Sequence, residues 1–369
     1  MKKELAFGMM RLPVDPGNKI DLALTNRMAD YFLEHGFRRF DTAEIYHDTF
    51  SEAAVKECLV KRHPRDSFEI ADKLSSWRIA ENSNAEEFFN RQLQVTGLEY
   101  FDRYLVHSVE EKLYPDIVEK RYFDFVLEKK AKGLVREAGF SFHGKPELLD
   151  KILAEYPEMD CVQLQINYID WENPAVRSRE CYETARKYGK KILVMEPVKG
   201  GLLAELPEAG AAILKEAAPE LSTASWAIRF AAGLDGVDTV LSGMSNMEQL
   251  KDNVAVMENF EPLSDDELKT LGQLRAYLHR NPMVECTGCG YCLAECPLKL
   301  PVSSFIRLFN NTRIFGAIPR INNAYKAHTA KHTPADCVNC GCCTNVCPQH
   351  LDIPYHLASL AKWAKENDL

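Results

Sequence analysis

The chain has 369 residues, 46% of them hydrophobic and 27% charged, and a formal net charge of −9. This is ordinary globular usage, and the charge has the wrong sign for a protein that grips nucleic acid by its phosphates. At roughly 150 residues per domain the length excludes a single small module and allows two domains, or one barrel of about 250 residues with a smaller attachment.

No run approaches the roughly 18 apolar residues of a spanning helix. The opening Met1-Lys2-Lys3-Glu4 puts an acid where a secretory apolar core would stand. The expectations are therefore no membrane, no nucleic acid and a cytoplasmic setting, where thiols stay reduced.

Along the first 280 residues short apolar runs alternate with amphipathic stretches. Strands are predicted at Leu5–Gly8, Phe37–Thr42, Phe68–Lys73, Tyr104–Ser108, Glu137–Ser141, Val162–Asn167, Ile192–Pro197 and Thr239–Gly243. Each is followed by helical spacing: Asp21–His35, Ser51–Lys61, Ala85–Thr96, Glu119–Lys132, Lys145–Tyr156, Pro174–Tyr188, Ser222–Ala232 and Met247–Met257. In the first helix Leu22, Leu24, Met28, Ala29, Phe32 and Leu33 recur at three- and four-residue intervals, as one buried face requires. Eight strand–helix units in about 260 residues fit the size and count of a (β/α)8 TIM barrel, an α/β fold. No Gly-rich turn follows the first strand, which speaks against an open dinucleotide-binding sheet.

A ninth helix is predicted over Ser264–His279, opened by the capping box Ser264-Asp265-Asp266-Glu267. Asn281-Pro282 then breaks the helical pattern, which places the domain boundary between residues 280 and 281. The cysteines mark the same point. Cys58, Cys161 and Cys181 are scattered and read as small buried hydrophobes, whereas the other nine of the 12 lie between Cys286 and Cys347.

Four polar residues stand at or just past the carboxyl ends of successive strands, where barrel chemistry is located. Asp41 ends the second, Tyr46 follows in its loop, Lys73 ends the third and His107 ends the fourth. These residues, in the phrase Phe40-Asp-Thr-Ala-Glu-Ile-Tyr46 and its successors, resemble the catalytic tetrad of the aldo/keto reductases, barrel enzymes that use NADPH or NADH. The resemblance implies that hydride reaches a carbonyl carbon while Tyr46 protonates the oxygen. Lys73 is expected to lower the phenol's pKa, Asp41 to hold Lys73, and His107 to orient the carbonyl.

By the same resemblance Ser141 and Gln165 hold the nicotinamide carboxamide, and Met195 takes the place of the usual stacking aromatic ring. The Gly200-Gly201 loop lets backbone approach the pyrophosphate. Gly243 and Ser245, with Gln249 and Asn253 on the last helix, take the adenosine end, the helix amino terminus favouring phosphate. The chain departs from the family at Phe142, where an Asn is usual, and at Gln249, where an Arg often reads the 2′-phosphate, so the cofactor is NADP or NAD.

Beyond the boundary, Cys286-x2-Cys289-x2-Cys292-x3-Cys296-Pro297 recurs 51 residues later as Cys337-x2-Cys340-x2-Cys343-x3-Cys347-Pro348. This is the bacterial ferredoxin run for [4Fe-4S] clusters; zinc ribbons pair two-cysteine units instead. By analogy with two-cluster ferredoxins, one cluster takes Cys286, Cys289, Cys292 and Cys347, and the other Cys337, Cys340, Cys343 and Cys296. Cys342 is left over.

Between Glu295 and Asp336 there is no acid but six Lys and Arg, among them Arg313 and Arg320. They offset cluster charge and dock the module, reach cofactor phosphates, or receive an acidic electron carrier. A last helix is predicted over Pro354–Asn367. The whole chain resembles the iron–sulfur branch of the aldo/keto reductases: residues 1–280 as barrel, 281–369 as a small ferredoxin-like domain. The implied activity is NAD(P)H-dependent conversion between a small carbonyl and an alcohol. The alternative is an electron-transfer protein, with a redox partner protein, whose clusters carry the activity.

Overall fold

The computed structural model describes residues 3–79 and 84–369. Eight parallel strands close a barrel: β1 (Glu4–Gly8), β2 (Arg39–Asp41), β3 (Glu69–Leu74), β4 (Phe101–Val109), β5 (Val135–Phe142), β6 (Cys161–Gln165), β7 (Lys191–Met195) and β8 (Val237–Ser242). β1 pairs with both β2 and β8, which closes the ring. Helices cover the outside, so the strands are buried on both faces and read as apolar runs; in β4 only Ser108 is not fully buried.

The helices in chain order are α1 (Leu22–Glu34), α2 (Ser51–Val55), α3 (Ala85–Thr96), α4 (Tyr114–Glu119), α5 (Tyr122–Ala131), α6 (Pro146–Glu155), α7 (Ser178–Lys187), α8 (Glu208–Ala217), α9 (Thr223–Gly233), α10 (Met247–Glu258), α11 (Asp265–Leu278), α12 (Tyr291–Glu295), α13 (Val302–Phe315), α14 (Pro319–His328), α15 (Cys342–Asn345) and α16 (Ile353–Glu366). The Asp21 carboxylate caps α1, accepting from Leu24 N–H, and the face carrying Met28, Ala29 and Phe32 is buried. The predicted helix 51–61 is real but changes pitch: α2 widens into a π-turn over Lys56–Val60, which buries Cys58 and Leu59. Cys161 and Cys181 are buried as well.

The chain forms two compact units. One runs to Trp171 and includes Arg177–Lys199 and Ala224–Leu263; the other comprises Glu172–Val176, Gly200–Thr223 and Ser264–Leu369. The second unit thus groups α11 and α8 with the cysteine-rich region. α8 packs on α11, with Gly210 against Leu274 and Tyr277. The capping box of α11 forms, Ser264 Oγ accepting from Glu267 N–H and the Glu267 carboxylate from Ser264 N–H.

Further along, α13 packs on α14 and α16 around Phe305, Ile306, Phe309, Leu357 and Leu360, and Cys292, Cys296 and Cys343 belong to this core. Among the described residues no helix is long and apolar enough to cross a membrane.

Candidate active site and cysteine cavities

Strand register explains how the four expected catalytic residues meet. Asp41 lies beside Ala71, and Lys73 is two residues further along β3, on the same face. Lys73 Nζ therefore reaches back diagonally to Asp41 Oδ1, at 2.6 Å, and also donates to Thr42 O at 2.6 Å. Lys73 is fully buried, and its ammonium stands 5.0 Å from the Tyr46 ring centroid. His107, two residues past the register partner of Lys73, sets its ring 6.3 Å from that of Tyr46 and nearly perpendicular to it. The tetrad is assembled.

Electrostatics divides the roles. Burial would lower Lys73, but Asp41 and Tyr46 outweigh it and hold the ammonium charged. Burial pushes the Tyr46 phenol up and Lys73 pulls it back; the net direction is upward. The lowering expected from Lys73 is thus one contribution, outweighed by loss of water around the phenol. Burial, with Lys73 and His143, holds His107 well below its ordinary range, so its ring is neutral.

Three neighbours escaped the sequence reading. Ser75 Oγ lies 2.8 Å from His107 Nδ1, Gln163 Nε2 donates to Asp41 Oδ2 at 3.2 Å, and the Trp77 ring is 5.2 Å from that of His107. Each depends on barrel closure or loop path, which residue spacing does not reveal. On the other face of β3, Asp72 is buried beside Glu52 of α2; burial pushes both carboxyls up, and the charge of Glu52 adds to the shift of Asp72 as that of Glu44 does to Glu52.

The expected cofactor residues fare differently. Ser141 is buried, and its Oγ accepts from Ser108 N–H at 2.8 Å. Gln165 and Met195 are register partners at the strand ends, both half-buried. Gln165 Nε2 donates to Asp170 Oδ2 at 2.8 Å. Gly243 lies against the stem of Arg11. Ser245 N–H donates to Gln249 Oε1, and Ser245 Oγ to Arg11 O. Asn253 is buried and donates to Ser242 Oγ, so its amide braces β8 rather than extending from the helix. Phe142, the departure from the family, packs against Phe140.

Gly200 and Gly201, in the second unit, have φ of 61° and 94°, a region that favours glycine. The Gly200 carbonyl accepts from Arg320 at 3.0 Å, and Arg320 also pairs with Glu205. Arg313 donates instead to Pro282 O and stands over the Phe309 ring. Of the two arginines singled out from the acid-free stretch, Arg320 reaches the glycine loop and Arg313 serves its own helix.

The cysteines line two cavities. One is bordered by Cys286, Cys289, Cys292 and Cys347; the other by Cys296, Cys337, Cys340 and Cys343. Each has three thiols from one run and a fourth from the other, the exchanged pattern expected. Cys342 borders neither. Among the described residues no three His, Cys, Asp or Glu side chains converge as a single-ion site.

A sequence profile of the aldo/keto reductase family matches residues 4–276, and that of the 4Fe-4S dicluster domain residues 282–351. The chain belongs to the aldo/keto reductase family. An aldo-keto reductase of Mycobacterium avium (strain 104) is 28% identical over 258 residues, 68% of this chain and 82% of that one. L-galactose dehydrogenase of Arabidopsis thaliana is 24% identical over 264 residues, 66% and 80% of the respective chains.

Among solved structures, an aldo-keto reductase from Klebsiella pneumoniae in complex with NADPH superposes with a TM-score of 0.60 at 16% identity, covering 78% of this chain and 98% of that one. The holo form of one from Bacillus halodurans gives 0.58 at 24%, covering 73% and 91%. At these identities the likeness shows the fold. This aldo/keto reductase is an NAD(P)-dependent oxidoreductase joined to an iron–sulfur domain.

The turns after β6 and β7 carry one more arrangement unforeseen from sequence. Asp170, fully buried, accepts from Lys199 Nζ at 2.5 Å and from Asn167 Nδ2 at 2.8 Å, besides Gln165. Asn167 also donates to Glu196 O. Glu196 and Lys199 both have positive φ, 57° and 49°, a left-handed conformation costing a non-glycine residue about 1–2 kcal/mol, and these bonds hold the turn after Met195 in place.

Proposed function

We propose that the barrel reduces a small carbonyl compound to an alcohol with Tyr46 as proton donor, and that the cysteine cavities hold two [4Fe-4S] clusters. The observation that carries the first part is the buried Lys73–Asp41 pair beneath the Tyr46 ring. The residues expected at the nicotinamide end suit a dinucleotide: Gln165 Oε1 has no partner among the described residues and lies beside the half-buried Met195.

When bound, the reduced nicotinamide supplies hydride to the carbonyl carbon. As the oxygen gains charge, Tyr46 gives it the phenolic proton. A phenol held above its ordinary range is fully protonated at neutral pH, which suits the reductive direction. The phenolate left behind is stabilised by the Lys73 ammonium, which Asp41 keeps in position. With the Ser75 hydroxyl donating to Nδ1, the neutral His107 ring presents Nε2–H to the carbonyl oxygen and fixes its direction.

In the second unit each set of four thiols would hold one cluster. A protein purified without oxygen is expected to contain about eight irons per chain, with Cys296→Ser and Cys347→Ser each impairing the cluster completed by the opposite run. Iron and sulfide analysis with electron paramagnetic resonance checks this. A content of one or two metals per chain would overturn it.

A second reading, in which the clusters carry the activity, draws support from Cys289 and Cys340, one in each set and both exposed, with Tyr291, Val338 and Tyr355 exposed nearby in sequence. Such edges suit electron exchange with a partner protein. NAD(P)H oxidation with aldehydes, ketones and quinones separates the readings. Activity lost in Tyr46→Phe but kept in cluster-ligand variants supports carbonyl reduction; the reverse supports electron transfer.

A further inference from the structure

From Cys161 to Asp170 every residue is buried except Gln165, which is half-buried. Its amide is not free to turn. Nε2 donates to Asp170 Oδ2 at 2.8 Å, and Oε1 has no partner among the described residues. Burial alone would push the Asp170 carboxyl up, but the Lys199 ammonium and the amides of Asn167 and Gln165 outweigh it and hold it below the usual carboxylate range. An ionised carboxylate has no proton to donate. Only the –NH2 edge of Gln165 can face it, and the carbonyl edge is left for a ligand.

We propose that Asp170, held by Lys199, is a positioning residue that locks the Gln165 amide with its carbonyl available, so that the dinucleotide is selected by the –NH2 of its carboxamide. This rests on the reading that Gln165 faces the nicotinamide. A freely rotating glutamine would offer either edge and accept a donor or an acceptor alike. A locked one repels an acceptor, because two oxygens would meet with no proton between them. The lock also spans the turn after Met195: Lys199 comes from the strained segment 196–199 and Asp170 from the turn after β6, so one carboxylate fixes both residues that flank the ring.

The test uses binding to the cluster-loaded protein, without turnover. Dissociation constants are measured by ligand fluorescence or calorimetry for NADPH and three analogues. The thionicotinamide form keeps –NH2; the 3-acetylpyridine and deamido forms lack it. Wild type is expected to bind the thionicotinamide form within about threefold of NADPH and the other two at least about tenfold more weakly, the scale of one unpaired polar contact. Equal binding of all four would overturn the proposal without any variant.

In Asp170→Asn, where the replacement amide can give or accept, the discrimination is expected to shrink about tenfold toward unity. A merely structural role for Asp170 would weaken all four ligands together and leave their ratios intact; that result also overturns the proposal. Gln165→Leu separates the underlying reading. If it changes neither affinity nor discrimination, Gln165 is not at the nicotinamide. If it abolishes discrimination while Asp170→Asn preserves it, Gln165 is placed correctly and only the lock is wrong.

Discussion

The barrel site and the cysteine cavities are built in opposite ways. In the barrel, protein groups neutralise one another: Lys73 meets Asp41, Lys199 meets Asp170, and strand register sets the distances. In the second unit eight thiols surround two cavities, and three of them, Cys292, Cys296 and Cys343, are part of the apolar core itself. The first site is complete as a folded chain. The second, on the proposed reading, is completed by what it binds, which would couple its folding to its chemistry. A site made by packing is disabled by changing one reactive group; a site made by ligands is disabled, together with its surroundings, by removing what is bound.

The sharpest way to separate the two is Tyr46→Phe. Carbonyl reduction is expected to fall by about 10²–10⁴-fold, the usual weight of a general acid, with the NADPH dissociation constant and iron content unchanged. Weaker cofactor binding in that variant would show that the phenol shapes the pocket as well as the reaction. The complementary experiment strips iron with chelator and oxidant. Amide hydrogen exchange across 302–366 is expected to rise about 100-fold or more as the second core loosens, while strands β1 to β8 stay protected. Equal protection throughout would mean that the helices α13 to α16 stand without their clusters.

A subtler difference concerns the Asp72–Glu52 pair behind β3. Both carboxyls titrate higher in the folded chain than in the unfolded one, so the folded form binds more protons in the interval between. Their contribution to stability is fully present below the ordinary carboxyl range and is lost as pH rises through the raised values. Asp72→Asn, which mimics the protonated form, should remove a slope of up to about 1.4 kcal/mol per pH unit. Urea midpoints between pH 4 and 9 measure it, and a slope unchanged by the variant would place the titration elsewhere. The smallest effect belongs to α11: Ser264→Ala removes its capping box and should cost about 1 kcal/mol, read as a lowered melting temperature with turnover intact.

Much of this was legible from the residues. Eight apolar runs with intervening helical spacing specified the barrel, and the four residues of the expected tetrad were visible because three stand at or near strand ends and Tyr46 in the loop after one. The exchanged grouping of the cysteines was implied by their likeness to two-cluster ferredoxins. Partners that only closure brings near were not visible. Gln163 reaches Asp41 across 122 positions of chain, and Asp170 acquires Lys199 from the next strand's turn.

Three helices of 10 residues or more were also hidden. α8 lies in the stretch between the strand predicted at 192–197 and the helix predicted at 222–232, and α13 and α14 lie in the acid-free segment. There the basic residues drew attention away from the apolar spacing of Val302, Phe305, Ile306 and Phe309, and Pro301 precedes α13 without a capping side chain. Charge described that segment, but packing folds it.

The exchange of a fourth thiol between the two cysteine runs has a consequence for inheritance and assembly. On the proposed ligand assignment each cavity joins thiols from two runs offset by 51 residues, so filling either one would fasten the same long loop and spare the other most of the closure entropy. Loading should therefore be cooperative, with half-filled chains scarce. Neither run is a module in its own right: deleting one leaves the other with three ligands and an orphaned fourth. The two cavities can be gained, kept or lost only together.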